Sequence, residues 1–423
     1  MQKRTGKREL FFLNTIWLGI SFMWNSLHVL IIPAILLQYV PDSRKNTILG
    51  LLTFTGLIVA AVVQPAAGAA SDRTRSRFGK RPPWIAAGTL LDVLFLAMMG
   101  AAGGLPLLAL GYIGLQFTSN IAHGPAQGLM HDYVPPSQMG TASGLKNVFD
   151  MAGLILSSLL VGQLMSVENL QTTFLVIIAV LLASMAPTVL GIKENMEGTS
   201  KPENKDAMRV FQQLKELRSH ASFQRLIGMR LMFLTGVYGI QVFAQYYIRD
   251  TLAVDDPVKL TGNLMASIVV SLILFSMLTG VLCDRFGRKP FHIAAAVLVG
   301  AGSIAMIFAG NAGQVLVFGS LIGAGTGLFL SANWALANDL SPSGKGGAFL
   351  GLTNLATAGA GALSRLFGPA IDSLNALNPG TNAGYTLLFA AAAFLTISSL
   401  ILLTRIPETV MDKEKIKPAE STK

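Results

Sequence analysis

Gln116, Asn120, His123, Gln127 and His131 follow one another at spacings of 4, 3, 4 and 4 in an otherwise apolar stretch. On an α-helix that spacing places all five on one face. Their amides and imidazoles can donate and accept hydrogen bonds. An unpaired polar group facing hydrocarbon costs several kcal/mol, so this face must look into a wet cavity or onto another helix. Shorter sets of the same kind occur elsewhere: Ser21, Asn25 and His28 beside Trp24; Tyr238, Gln241 and Gln245; and Asn333, Trp334 and Asn338. Amides that fix orientation and rings that stack suit a neutral, hydroxyl-rich ligand. They would hold a nucleoside or a drug-like molecule equally well.

Charges within the apolar stretches are few, and each is informative. Asp92 falls about nine residues into its stretch, where desolvation favours the protonated carboxyl and makes it a candidate proton carrier. A structural aspartate satisfied by a neighbouring helix is the competing reading. Lys146 and Asp150 are spaced as an i, i+4 pair. Arg230 reads as a snorkelling side chain near a helix end. Arg365 has two readings, a partner for a substrate carboxylate or, the favoured one, a structural pair with Asp372 seven residues on.

Two basic knots carry a different chemistry. Gly68, Asp72, Arg73, Gly79, Lys80, Arg81 and Pro82 return downstream as Gly280, Asp284, Arg285, Gly287, Arg288, Lys289 and Pro290, the first copy being longer by Thr74 to Arg77. Asp132, Pro135, Gly140, Gly144, Leu145 and Asn147 return as Asp339, Pro342, Gly347, Gly351, Leu352 and Asn354, each pair 207 residues apart. Asp72 and Asp284 each close an apolar run, where a carboxylate can meet the positive N-terminus of a helix from the other half. Arg73 and Arg285 are expected to reach Asp132 and Asp339. Together with Gly79 and Gly287, these residues form a candidate gate. A static topology anchor is the plainer alternative.

These residues have to be positioned by membrane helices. Of 423 residues, 52% are hydrophobic and only 13% charged, against about a quarter charged in a soluble protein. Apolar runs of roughly 20 residues, each long enough to cross the hydrocarbon core, are expected at 10–38, 47–71, 83–103, 105–131, 143–165, 171–192, 223–248, 262–283, 290–310, 313–337, 347–371 and 384–404. The chain then divides into a six-helix bundle over 1–192, a polar cytoplasmic linker over 193–222, a second six-helix bundle over 223–405 and a cytoplasmic tail over 406–423. The linker residues from Ala207 to Leu217 could form an amphipathic surface helix, and the charged tail is expected to be disordered. No cleavable signal is evident. Lys and Arg collect on one side, with only Arg44, Lys45, Arg249 and Lys259 opposite. That bias places both termini in the cytoplasm. The two repeats imply parallel halves about an axis along the membrane normal, with a cavity between them.

Twelve spans, a polar central linker and paired Gly-x-x-x-Asp-Arg loops resemble the major facilitator superfamily across essentially the whole chain. The long first knot, and Gly124-Pro125 followed by Asp132, resemble the sucrose-type and glycoside–cation symporter branch. That resemblance implies an all-α fold of two pseudo-symmetric bundles and alternating access, with the knots latching the cytoplasmic side. It also implies a proton-taking acid and a sugar-contacting arginine on the fourth span. Gln116 and Gln127 stand in those two places, and neither carries a charge.

Other chemistries find no support. No Gly-rich nucleotide loop or nucleophile elbow is present, and no His/Cys/carboxylate cluster has metal-ligand spacing. The single cysteine, Cys283, excludes an internal disulfide. The net charge of +10 is scattered through short connections, which suits anionic lipid rather than nucleic acid. The expectation is a monomeric, cofactor-free transporter of the plasma or inner membrane that moves a small polar solute, a sugar or glycoside by preference, with a proton as coupling cation. Asn25, His28, Gln116, Asn120, His123, Gln127, Tyr238, Gln241, Asn333 and Trp334 are the candidate solute ligands, and Asp92 the candidate proton site. An uncoupled facilitator and a drug or metabolite exporter are the alternatives.

Overall fold

The computed structural model describes residues 4–165, 170–192, 217–252, 254–342 and 346–406. The tail from 407, and all of the expected linker helix except Leu217, lie outside them. Every regular element among the described residues is helical. Eleven spans are long and apolar enough to cross a membrane: Lys7–Tyr39, Asp42–Asp72, Pro82–Gly100, Leu105–Tyr133, Met139–Leu164, Leu170–Gly191, Ala221–Thr251, Pro257–Phe286, Lys289–Ile307, Ala312–Leu340 and Ala383–Thr404. The eleventh in chain order, Gly346–Arg365, is rich in glycine and alanine, breaks at Leu366 and resumes as Phe367–Leu377. These are numbered spans 1 to 12 below.

Packing follows the repeat. In the first half span 1 packs on spans 5 and 6, span 4 on spans 2 and 3, and span 3 on span 6. In the second half span 7 packs on 11 and 12, span 10 on 8 and 9, and span 9 on 12, the same scheme shifted by six. The fold is therefore two pseudo-symmetric six-helix bundles, as the repeat predicts. Contact between bundles runs chiefly through two equivalent pairs, span 5 with span 8 and span 2 with span 11, with a smaller one where span 1 meets span 7.

Those contacts gather on the side away from the basic knots. A Cβ on Gly262 would fall 2.4 Å from the Ser158 carbonyl oxygen, and one on Gly162 only 3.1 Å from Gly262 Cα. A Cβ on Gly50 would lie 2.4 Å from the Arg365 carbonyl oxygen, and one on Gly368 2.3 Å from that of Asn46. Glycine here lets backbones touch. Span 1 contributes a π-helical turn, Ser26–Ile31, just before Pro33. Proline has no N–H, so the Val29 carbonyl loses its α-helical donor. Gln245 of span 7, its amide nitrogen turned to span 1, donates to the Val29 and Leu30 carbonyls at 3.0 Å each. Tyr246 donates its hydroxyl to the Pro33 carbonyl at 3.0 Å.

On the knot side the bundles stand apart. Gly144 on span 5 and Gly351 on span 11 have no atom within 4 Å of a built Cβ. The two halves thus enclose a chamber shut on the far side and open toward the knots.

Candidate functional site

Exposure rises along the span 4 stripe toward the knots. Gln116 and Asn120 are buried, His123 is half-buried, and Gln127 and His131 are exposed. At the closed end Tyr112 is a hub. It meets His28 Nε2 at 2.9 Å, and Gln116 Nε2 donates to its hydroxyl at 2.7 Å. Trp24 stacks on His28 with centroids 5.0 Å apart. Asn120 donates to the Gln116 carbonyl at 2.7 Å. Nearer the mouth, Gln127 Nε2 contacts His123 Nε2 at 3.2 Å, and Trp17 meets the His123 ring edge-on at 5.2 Å. Lys146 lies 4.1 Å above the Trp17 ring and pairs with Asp150 at 2.6 Å, while Ser21 donates to the same carboxylate at 2.8 Å. One continuous polar wall therefore joins spans 1, 4 and 5.

Several expected ligands are engaged elsewhere. Asn25 donates to Ser157 and Ser158 of span 5 at 2.5 and 3.1 Å, so its amide ties two helices together inside the first bundle. Asn333 is fully buried and accepts from Arg230 Nη1 at 2.7 Å. Helical spacing gives the face a residue lies on but not the partner that face meets. Tyr238 and Gln241 remain half-buried, and Trp334 is exposed. Asp92 is buried and accepts a short hydrogen bond from Thr118. Thr118 lies two residues from both Gln116 and Asn120, about 200° round the helix, so Asp92 meets span 4 on its back.

Arg230 and Arg365 do not behave as expected. Arg230 does not snorkel: it is 7% exposed, donating from Nε to Thr357 at 2.9 Å and from Nη1 to Asn333. Arg365 is 8% exposed and does not pair with Asp372. It donates from Nη1 to the Gly361 carbonyl at 2.5 Å, and its buried Nε has no partner.

Asp372 instead crosses between bundles. It accepts from Asn46 Nδ2 at 2.8 Å and from the Thr47 amide at 2.7 Å. Beside it the buried Lys45 pairs with Asp250 at 2.6 Å, Arg249 with Asp42 at 2.7 Å, and Tyr385 donates to Asp250 at 2.6 Å. This far-side latch was not among the sequence expectations.

The knots are also wired differently. Arg81 joins Asp72 and Asp132 at 2.6 Å each, with Lys80 adding a 3.1 Å contact to Asp132. Arg288 joins Asp284 and Asp339 at 3.1 and 3.0 Å. The bridging arginines are therefore Arg81 and Arg288, also 207 apart, rather than Arg73 and Arg285. Gly79 (φ 97°) and Gly287 (φ 82°) turn each loop through the left-handed region that brings these arginines back over the acids. Arg285 lies over the Phe286 ring, 5.3 Å from its centroid. Arg81→Gln is expected to cost about 1–2 kcal/mol, discounted because both acids are partly hydrated. Arg285→Gln should cost less than about 0.5 kcal/mol. Thermal unfolding of the purified variants, followed by tryptophan fluorescence, compares the two.

A family model described as MFS/sugar transport protein matches residues 18–407. Proton-associated sugar transporter A of Homo sapiens is 32% identical over 31% of this chain and 19% of its own length. Sucrose transport protein SUT4 of Oryza sativa subsp. indica is 26% identical over 34% of this chain and 27% of its own. The chain thus aligns with about a quarter or less of these two relatives. Multidrug resistance protein MdtG of Serratia proteamaculans (strain 568) is 26% identical over 77% and 78%. Among solved structures, a bacterial homolog to the human lysosomal transporter Spinster, inward-facing and unoccupied, superposes with a TM-score of 0.70 at 15% identity, covering 95% and 96% of the two chains. Peptide transporter POT in complex with alafosfalin gives 0.73 at 14% identity, covering 95% and 96%.

Proposed function

Because this chain belongs to the family of MFS/sugar transport proteins, we propose that it is a secondary active transporter, importing a sugar or glycoside together with a proton by alternating access. It is a multi-pass membrane transporter and not an enzyme. The observation that carries the reading is the chamber itself, shut by the far-side latch and opening along the His123–Gln127 wall toward the knots. In this reading the knots face the cytoplasm of the plasma or inner membrane, by the bias of Lys and Arg, and the structure is the inward-open state. A monomer suffices, since each chain encloses its own chamber.

His28, Gln116, His123, Gln127, Tyr238 and Gln241 offer the solute a ladder of donors and acceptors, with Trp24 as a flanking ring. Asn120 and Trp334 extend the two walls. Asp92 is the proposed proton carrier: buried, without a cation partner among the described residues, and bonded to the helix that carries the stripe. Its protonation would be felt in the chamber through a shift of span 4. When the bundles rock, Asp72, Asp132, Asp284 and Asp339 become available to the opposite half.

Proteoliposomes decide the matter. Labelled sugars should accumulate against their gradient when a pH gradient is imposed, and dissipating that gradient should abolish accumulation. Asp92→Asn should equilibrate sugar without concentrating it. Undiminished accumulation by Asp92→Asn would move the proton elsewhere, with Asp150 the next carboxylate to test. Likeness to MdtG over more than three quarters of both chains favours efflux as the second reading, which extrusion of ethidium from loaded vesicles would reveal.

A further inference from the structure

Among the described residues, neither buried guanidinium of the second bundle has a counter-ion. Among the described residues no carboxylate lies within ion-pair distance of Arg230 or Arg365, and Asp372, the nearest acid along the chain to Arg365, is committed to Asn46 and Thr47. Among the described residues Arg365 makes one hydrogen bond, although its guanidinium has five N–H groups. Arg230 uses Nε and Nη1 on neutral acceptors and leaves Nη2 without a hydrogen bond among the described residues. An uncompensated buried cation is costly and is normally paired or functional. Thr357, which holds Arg230, precedes Arg365 by eight residues, about 12 Å along span 11. Both cations therefore border span 11, at two levels along its axis. On the first bundle, at the closed end, Tyr112 and His28 bond each other and bring no negative charge. The acid of the opposite wall, Asp150, is held by Lys146 and Ser21.

We infer that the solute carries an oxyanion (a carboxylate, phosphate or sulfate), which Arg365 receives at the closed end of the chamber while Arg230 and Tyr238 hold its hydroxyl-bearing remainder. A planar fork with free donors matches such a group in a way a single ammonium does not. The inference rests on the transport reading above and narrows it from sugars in general to sugars with an acidic group.

Binding to purified full-length protein, measured by calorimetry, tests it with six probes: gluconate, glucose 6-phosphate, glucose 6-sulfate, glucose, sucrose and inorganic phosphate. At least one acidic sugar should bind ten-fold or more tightly than glucose and sucrose. Arg365→Gln should remove that preference, and Arg365→Lys should keep part of it. Should Arg365→Gln fail to fold, the wild-type ratio of acidic to neutral affinities stands as the test. Equal affinity for glucose and its acidic derivatives, no binding of any acidic probe, or a preference untouched in Arg365→Gln would overturn the inference. Inorganic phosphate binding as tightly as glucose 6-phosphate would keep the anion site and remove the sugar from the reading. Counterflow in proteoliposomes separates the two levels. Flux of neutral sugar without acidic preference retains transport and ends the anion site, whereas acidic-sugar binding without flux does the reverse.

Discussion

Asp372→Ala is expected to turn the transporter over, so that the chamber closes on the knot side and opens on the far side. The Asp372 carboxylate accepts two charge-assisted bonds from the opposite bundle, at 2.7 and 2.8 Å, and is 7% exposed. Each such bond contributes about 1.5–3 kcal/mol. These bonds exist only while the far side is shut, so their loss falls wholly on the balance between the two states. A change of about 3 kcal/mol or more moves that balance by roughly two orders of magnitude. Gly144→Cys and Gly351→Cys, in a Cys283→Ser background, report the result. Both positions are open in the structure, whereas Cys283 is buried. Maleimide should label them at least ten-fold more slowly once Asp372→Ala is added. Unchanged labelling would mean that the latch does not set the resting state.

Lys45 belongs to the same device but should behave differently. Its ammonium bridges Asp250 and Asp42 at 2.6 and 3.5 Å, one partner in each bundle. Asp250 keeps Tyr385 and Arg249 when Lys45 is lost. A smaller shift in the same direction is therefore expected from Lys45→Met, and the difference between the two variants measures how much of the latch is carried by Asp372.

What the sequence made legible was whatever repeats or stays local. Spans follow from runs of apolar residues, and the pairing of Asp132 with Asp339 follows from a constant offset of 207. Lys146 with Asp150 is legible from a four-residue spacing and is a 2.6 Å ion pair in the structure. The choice of Arg81 over Arg73 was not legible in the same way. Arg73 is next to Asp72 in sequence, but Gly79 folds the loop so that Arg81 returns between two acids. One signal could have shown this, because Arg81 and Arg288 keep the 207 offset that the aspartates keep. The latch left no periodic trace. Asn46, Asp250, Asp372 and Tyr385 come from four separate helices, and only the docking of the bundles brings them together. Asn25 shows a further limit, since its helical face was right but Ser157 and Ser158 of span 5 meet it there.

Gly262→Leu should also open the far side, through volume rather than charge. Spans 5 and 8 cross where Gly162 Cα and Gly262 Cα stand nearly in contact, and any Cβ on Gly262 would lie 2.4 Å from the Ser158 carbonyl oxygen. That neighbour is backbone, so no rotamer change relieves the clash. Inside a packed bundle such overfilling costs about 1–3 kcal/mol. Here the obstacle lies between two bodies that can rotate apart, so the strain is released by rocking and the closed state alone is penalised. Labelling of Gly351→Cys in the Cys283→Ser background should slow as it does for Asp372→Ala, while the unfolding midpoint changes little. Gly162→Ala meets Gly262 Cα at 3.1 Å and should shift the balance far less. A variant Gly262→Leu that unfolds early yet labels like wild type would show that the crossing is a rigid weld rather than a fulcrum. The paired spans 2 and 11, which touch at Gly50 and Arg365, would then have to supply the pivot with the contact of spans 1 and 7.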